Sequence, residues 1–93
     1  MYGAGMGDGE TSLRELLLSG RKSAGMTQVD AMIAVGLRQP ISISRYERGT
    51  SIPDPDTFAR MIDAYGLDAD QAWRAWGVAY AERARRGLEA LGS

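Results

Sequence analysis

Apolar residues along most of this chain recur every three or four positions, a spacing that is typical of amphipathic α-helices. The stripe formed by Leu13, Leu16 and Leu17 predicts a first helix over about residues 13–24, with Ser12 as its N-cap. Similar helical patterns follow in four more stretches of the chain. The pattern therefore predicts an all-α fold of five helices.

The second and third predicted helices are short and lie close together. Thr27 can cap a helix that starts at Gln28, and Gly36 supplies the positive φ that ends it. The next helix follows at once, because Pro40 is tolerated in a first turn and Gly49 can end the helix. This segment therefore predicts two helices joined by a tight turn.

The third predicted helix has two different faces, since each residue advances by about 100° around a helix. At that spacing Tyr46 and Glu47 share the side of Ile43, which is taken to point inward. The opposite side carries Ile41, Arg45 and Arg48. Such a helix has an apolar back and a front with hydrogen-bond donors, which the major groove of DNA can receive.

Two further helices are predicted in the last part of the chain. The fourth starts with the pair Asp54 and Pro55 and ends at Gly66. Its core stripe consists of Phe58, Met61, Ile62 and Tyr65. The fifth begins after Asp68 and runs to about Leu91, which makes it the longest helix of the chain.

Apolar residues follow the fifth predicted helix as one seam. They are Ala69, Ala72, Trp73, Trp76, Tyr80, Ala84, Leu88 and Leu91. The first two turns can cover the core of the other helices, but the part beyond Tyr80 has no partner left in its own chain. We therefore expect a homodimer through Tyr80, Ala84, Leu88 and Leu91. The alternative is a tail that frays or folds back as a cap on a monomer.

Composition fits one small domain, since the chain has 93 residues and is 44% hydrophobic. Residues 1–10 contain four glycines without any periodicity, so a disordered arm is expected there. The absence of Cys and His excludes disulfides, thiol catalysis, most general bases and nearly all zinc sites. With no secretory or membrane-spanning run, we expect a soluble cytoplasmic protein that is not an enzyme and needs no metal or cofactor.

Charge is unevenly distributed, although the net charge is only −1. Residues 20–50 hold five basic and two acidic side chains, whereas residues 51–71 hold one basic and five acidic side chains. Charge placement matters more for nucleic-acid binding than the sum does. The basic segment coincides with the two short helices, which favours that segment as a DNA-binding surface. The arginines at 83, 85 and 86 are expected to form a solvated face.

Several short motifs cluster in this basic segment. They are the Thr27–Gln28 start, the small Ala31, the turn at Gly36–Leu37, the Gln39–Pro40 pair and, above all, ISRYERG from Ile43 to Gly49. Together they resemble the Cro/CI-type (XRE-like) helix-turn-helix family over about residues 12–67. The resemblance implies a lambda-repressor-like helix-turn-helix domain at residues 11–67. Together with the extended C-terminal helix that the apolar spacing predicts at 68–93, this gives an all-α fold of five helices.

One feature departs from the family pattern. The stretch from Gly36 to Ile43 is one residue longer, with the extra residue near Ile41 or Ser42. Two explanations are open at this point: the turn is longer, or the recognition helix starts with an irregular turn.

The resemblance also implies roles for individual side chains. An ion pair between Arg21 and Glu47 would tie the first helix to the recognition helix; the alternative is solvated surface charge. Phosphate contacts would come from Gln28, Arg38, Ser44, Arg48 and Thr50.

Candidate base contacts lie on the front of the recognition helix. Arg45 points outward at its centre, and an arginine can donate two hydrogen bonds to one guanine. Ile41 can meet a thymine methyl group. Gln39 and Ser42 are further candidates, whose placement depends on the extra residue.

These observations predict a sequence-specific regulator of transcription that binds double-stranded DNA, a homodimeric repressor that reads the major groove with the helix from Pro40 to Arg48. The alternative is a protein-interaction module with the same fold, a phage or antitoxin-type adaptor that binds a regulatory protein partner through its C-terminal helix. The basic helix pair favours DNA, whereas the unpaired seam and the net acidity favour a protein.

Overall fold

The structure is a computed structural model that describes residues 11–92, with side chains described for residues 11–89. Over this range the fold is all-α, as predicted. The five helices are α1 (Leu13–Ser23), α2 (Gln28–Val35), α3 (Pro40–Arg48), α4 (Pro55–Tyr65) and α5 (Ala69–Gly92). The expected disordered arm at residues 1–10 lies outside the described residues. None of the described helices combines the length and the apolar run that a bilayer crossing needs.

Side-chain caps explain where the helices start. The Ser12 and Thr27 hydroxyl groups accept hydrogen bonds from the backbone N–H groups three residues on, and both caps form complete capping boxes. Asp54 accepts in the same way from Thr57 N, at 2.7 Å. These polar residues fix where three of the helices begin, and therefore which apolar side chains of each helix face the core.

The core is built from apolar side chains of all five helices. Leu17, Val35, Ile43, Phe58 and Met61 have no exposed surface, and they come from α1, α2, α3 and α4. Buried alanines of α5 close the remaining side. The core therefore holds the helix pair α2 and α3 against α1 and α4.

Close packing explains a glycine in the middle of α1. A Cβ at Gly20 would lie 2.7 Å from Leu67 Cδ2 and 3.4 Å from Tyr65 Cβ. Glycine weakens a helix interior by about 1 kcal/mol relative to alanine. Here the missing side chain lets α1 approach the end of α4, which compensates for that weakness.

The seam expected along α5 packs on the core only over its first turns. Ala72 and Ala75 are buried and Trp76 and Ala79 are partly buried, whereas Trp73 is 38% exposed. Trp76 is held in place because its Nε1 donates to Pro53 O at 2.8 Å. The start of the seam therefore contacts the core, as predicted, but the core-facing stripe also includes two alanines outside the seam, Ala75 and Ala79.

The second half of α5 continues as helix beyond the core. Tyr80 is 57% exposed and Leu88 is 69% exposed, and Ala84 is exposed as well. The Leu91 side chain lies outside the described residues. Tyr80, Ala84 and Leu88, which are expected to form a dimer interface, are thus open to solvent in the single chain.

Candidate nucleic-acid interface

The turn between α2 and α3 has three residues, Leu37 to Gln39, after the C-cap Gly36. Gly36 has φ 83° and Leu37 N donates to Met32 O at 2.9 Å, so the glycine reverses the chain and satisfies the end of α2.

The first turn of α3 is tight. Gln39 provides no side-chain cap, and Ser42 N donates to Gln39 O at 3.3 Å, a bond between residues three apart. Pro40 occupies the start of this turn, where a missing N–H is tolerated. The residues between Gly36 and Ile43 are thus accommodated by a three-residue turn and a tight first helical turn.

The inner face of α3 carries a buried carboxylate. Glu47 is only 9% exposed. It accepts hydrogen bonds from Arg21 Nε at 2.6 Å and from Arg21 Nη2 at 3.1 Å. Arg21 Nη1 also donates to Met26 O at 2.8 Å. The structure therefore brings together the two side chains that the resemblance pairs. They form a bidentate ion pair that joins α1 to α3.

The ion pair also changes the acidity of its arginine. The hydrogen bonds that Arg21 donates to Glu47 raise the pKa of Arg21 above its ordinary value, against the opposing effect of burial. Arg21 therefore stays charged although little of its side chain is exposed, and it is not a solvated surface arginine.

Gln28 joins the same cluster. Its Nε2 donates to Glu47 Oε1 at 3.1 Å, and the residue is half-buried at the start of α2. In this structure the Gln28 amide is a contact within the motif that links α2 to α3. The phosphate contact implied by the resemblance remains a prediction.

The outer face of α3 has a different character. Ile41 is 46% exposed, and Arg45 and Arg48 are exposed. Arg38 is exposed in the preceding turn. Within residues 11–89 the guanidinium groups of these three arginines have no hydrogen-bonded or ionic partner. The structure therefore leaves three positive groups and one branched apolar side chain on the same open side of the motif.

The other candidate contacts surround this side. Gln39 is exposed, and Ser42 and Ser44 are half-buried on the flanks of α3. Thr50 is exposed, and its Oγ1 donates to Arg45 O at 3.2 Å, so the hydroxyl satisfies the end of α3.

Sequence reasoning missed two arginines near the motif. Arg60 of α4 donates from Nε to Val35 O at 2.8 Å and thereby satisfies the C-terminal end of α2. Arg14 of α1 reaches the end of α3, since its Cδ lies 3.2 Å from where a Cβ of Gly49 would be. Both contacts cross between elements, so no local pattern in the sequence indicates them.

The described residues contain no cluster of three or more His, Cys, Asp or Glu side chains that could hold a metal ion.

Comparison with known families decides what this geometry represents. A family model described as a helix-turn-helix domain matches residues 12–75, which include α1 to α4 and the start of α5. The chain belongs to the helix-turn-helix domain family. The match supports the Cro/CI-type (XRE-like) class that the motifs resemble. No curated protein and no solved structure gave a significant match.

Membership in the helix-turn-helix family assigns a general function. The protein is a DNA-binding regulator of a family that is typically not enzymatic. In helix-turn-helix domains the second helix of the motif is the recognition helix, which is α3 here.

Proposed function

We propose that the protein is a sequence-specific homodimeric repressor that reads the major groove of DNA with α3. One observation carries the proposal: the acidic residue of α3, Glu47, is buried and paired, whereas its arginines, Arg45 and Arg48, are exposed and unpaired among the described residues. The helix therefore offers DNA only positive and neutral groups. Such a surface suits the phosphates on both sides of a groove and the acceptor groups of the bases within it.

Arg45 is the proposed reader of sequence. It stands at the centre of the exposed face of α3, where it can donate two hydrogen bonds to O6 and N7 of one guanine. Ile41, one turn earlier on the same side, is proposed to meet a thymine methyl group. Gln39 and Ser42, at the start of α3, are proposed as additional base contacts.

The proposed phosphate contacts lie at the two ends of the recognition helix. Arg38 precedes α3 and Arg48 ends it, so that the two charges can grip the backbone on either side of the groove. Gln28, Ser44 and Thr50 are proposed as weaker contacts, since Gln28 and Thr50 already bond within the protein.

Dimerisation is proposed through the second half of α5. Tyr80 and Leu88 expose large apolar surfaces, and Ala84 lies between them at helical spacing; the sequence spacing continues this stripe to Leu91. Burial of such surface stabilises an association by about 25 cal/mol for each Å² removed from water. A two-fold dimer would place two copies of α3 on half-sites about 34 Å apart, one turn of the double helix.

The proposal is tested by selection from a randomised duplex library at near-physiological salt, with the chain and with a version truncated after Tyr80. We expect the chain to enrich a two-fold symmetric site, and the truncated version to enrich a half-site or to lose enrichment. A double variant, Arg45→Ala with Arg48→Ala, serves as the control that retains α5 but lacks the outward charges. Enrichment of the same symmetric site by the truncated version would contradict the dimer, and enrichment by the double variant would contradict the assigned contacts.

A second candidate function is that of an adaptor that binds a protein partner through α5. Two observations favour it: the exposed apolar surface of Tyr80 and Leu88, and the acidic composition of residues 51–71. In this case the library yields no enriched sequence, even at low salt. Affinity capture with the chain, and with Leu88→Asp as a control, would then identify a partner that the variant fails to retain.

A further inference from the structure

In its second half, α5 presents arginines on the side that faces the domain. The core-facing stripe of α5 includes Ala75 and Ala79. Continued at helical spacing, this stripe passes through Arg83 and Arg86, four and seven residues after Ala79. The exposed residue Arg85 lies on another side of the helix. The arginines expected to form one solvated face therefore divide into two groups.

Arg83 and Arg86 border a groove of about 450 Å³ between α5, the start of α1 and the end of α3. Four arginines line this groove, together with a single acidic residue, Glu82. We call Arg14, Arg48, Arg83 and Arg86 the groove arginines. The groove therefore carries three more positive than negative charges, in a chain whose net charge is −1.

The groove adjoins the exposed side of the recognition helix. Arg48 belongs both to the groove lining and to the outer face of α3. Arg83 Nη1 donates to Thr50 O at 3.3 Å, two residues after the last residue of α3. The exposed side of α3 therefore adjoins the arginines of α5 across this groove.

Apolar residues form part of the groove lining, among them Ile52 and Val78. Long arginine side chains commonly lay their aliphatic stems on apolar surface and keep the charged group in water. On such a lining the guanidinium groups lie at the open edge of the groove. They are therefore suited to a ligand that passes over the groove, rather than to one enclosed within it. A nucleic-acid backbone is a ligand of this kind, because its phosphates form a continuous line of negative charge.

We propose that the groove arginines bind the DNA backbone next to the bases read by α3, so that α5 extends the DNA-binding surface. The inference rests on the proposed function, because it requires that α3 faces DNA. Guanidinium groups favour phosphate because they donate several hydrogen bonds in a planar fork. Phosphate contacts of this kind would strengthen binding to every sequence and would not add sequence preference.

The experiment measures the salt dependence of DNA binding by the double variant Arg83→Ala with Arg86→Ala. Each lost phosphate contact makes the slope of log K against log salt shallower by about 0.9. We therefore expect a slope that is shallower by about 1.8, on the selected site and on a random duplex alike. Fluorescence anisotropy of labelled duplexes over a series of salt concentrations provides the slopes.

Two variants serve as matched controls. Arg85→Ala removes one positive charge from the same helix, half as many as the test variant, but lies outside the groove lining, so the slope should stay within error of the unchanged chain. Arg83→Lys with Arg86→Lys retains both charges and should keep most of the slope while weakening hydrogen bonding. Circular dichroism shows whether each variant remains folded, which is expected because both positions are exposed.

The outcomes separate this inference from the proposed function. An unchanged slope in the Arg83 and Arg86 variant, with normal selection of a site by the unchanged chain, overturns the inference alone. A change in Arg85→Ala that is about half as large, and so equal per charge removed, also overturns it, because the effect would then come from overall charge. Failure of the unchanged chain to bind any duplex overturns both the proposed function and the inference.

Discussion

The two faces of α3 show how one nine-residue helix separates stability from recognition. On the inner face, Ile43 has no exposed surface and Glu47 accepts hydrogen bonds from two other helices. On the outer face, Ile41 and Arg45 are exposed. The two faces hold the same kinds of side chain, an isoleucine and a charged residue, in opposite environments. Substitutions on the inner face should therefore affect folding, and those on the outer face should affect DNA binding.

The largest expected difference is between the two isoleucines. Ile43→Ala should lower the free energy of unfolding by about 3 kcal/mol, because the Ile43 side chain is fully buried and its removal leaves a cavity in the core. Ile41→Ala, two residues away, should change it by less than about 0.5 kcal/mol. Urea denaturation followed by circular dichroism measures both values. Similar losses for the two variants would show that the faces are not distinct.

Removal of the buried carboxylate should have a comparable but smaller effect. Glu47→Ala leaves Arg21 without its ion-pair partner and Gln28 without its acceptor, which should lower stability by about 2 kcal/mol. Asp63→Ala removes an exposed carboxylate from α4 and provides the control. A thermal midpoint for Glu47→Ala equal to that of the control would mean that the pair behaves like an ordinary surface salt bridge.

On the outer face, the proposed roles predict two kinds of lost binding. Arg45→Ala should reduce discrimination at one base pair by about 1–3 kcal/mol. Arg48→Ala should weaken binding to all sequences alike and make the salt slope shallower by about 0.9. Titrations with a selected duplex and with a random one measure both effects, and stability should be unchanged in each variant. Equal losses on the two duplexes for both variants would contradict this division of roles.

Acid should weaken the N-terminal caps of α1, α2 and α4. Hydrogen bonds from Ser12, Thr27 and Thr57 lower the pKa values of Glu15, Asp30 and Asp54, respectively, below their ordinary values. In this acid range the unfolded chain therefore binds more protons than the folded chain. The contribution of these carboxylates to the free energy of unfolding is complete above their ordinary pKa values of 4.5 for Glu and 3.8 for Asp, and it is lost as the pH falls through the lowered values.

Thermal melts across this acid range test that expectation. In Asp30→Asn the carboxylate no longer titrates, so the decline in stability with falling pH should be less steep than in the unchanged chain. Asp63→Asn, at an exposed position outside the helix caps, is the matched control and should leave the decline as it is. An equal decline in Asp30→Asn and in the unchanged chain would mean that the caps do not control acid stability.

The smallest expected effect on stability is that of substituting Tyr65, at the end of α4. Tyr65 is 7% exposed, and its hydroxyl group has no hydrogen-bond partner among the described residues. Burial raises its pKa to about 12. Tyr65→Phe removes a polar group that gains nothing from burial, so the unfolding free energy should stay within about 0.5 kcal/mol or rise slightly. A loss above about 1 kcal/mol would reveal a partner for the hydroxyl group.

Local features of the sequence were enough to predict the helices. Caps such as Thr27 and Asp54, and terminal glycines such as Gly36, act on the residues beside them, so they can be recognised from sequence spacing alone. The division of α3 into an inner and an outer face also follows from its own periodicity around Ile43.

Contacts between helices were harder to predict. The pairing of Arg21 with Glu47 came only from the family resemblance, because nothing local connects residues that are 26 positions apart. The bond from Gln28 to Glu47 was missed because it depends on how α2 is placed against α3. On α5, the abundance of alanine gave several apolar stripes, and spacing alone could not show that Ala75 would face the core.

The aromatic residues of α5 give the protein a built-in optical probe. Both of its tryptophans lie in one cluster, with Trp73 and Trp76 each close to Phe58, at ring-centroid distances of 5.0 and 6.5 Å. Tyr80 stacks on Trp76 at 5.2 Å. Intrinsic fluorescence therefore reports specifically on whether α5 is docked, without any label near α3. A shift in emission on addition of DNA would show that DNA binding changes the surroundings of the tryptophans at the start of α5.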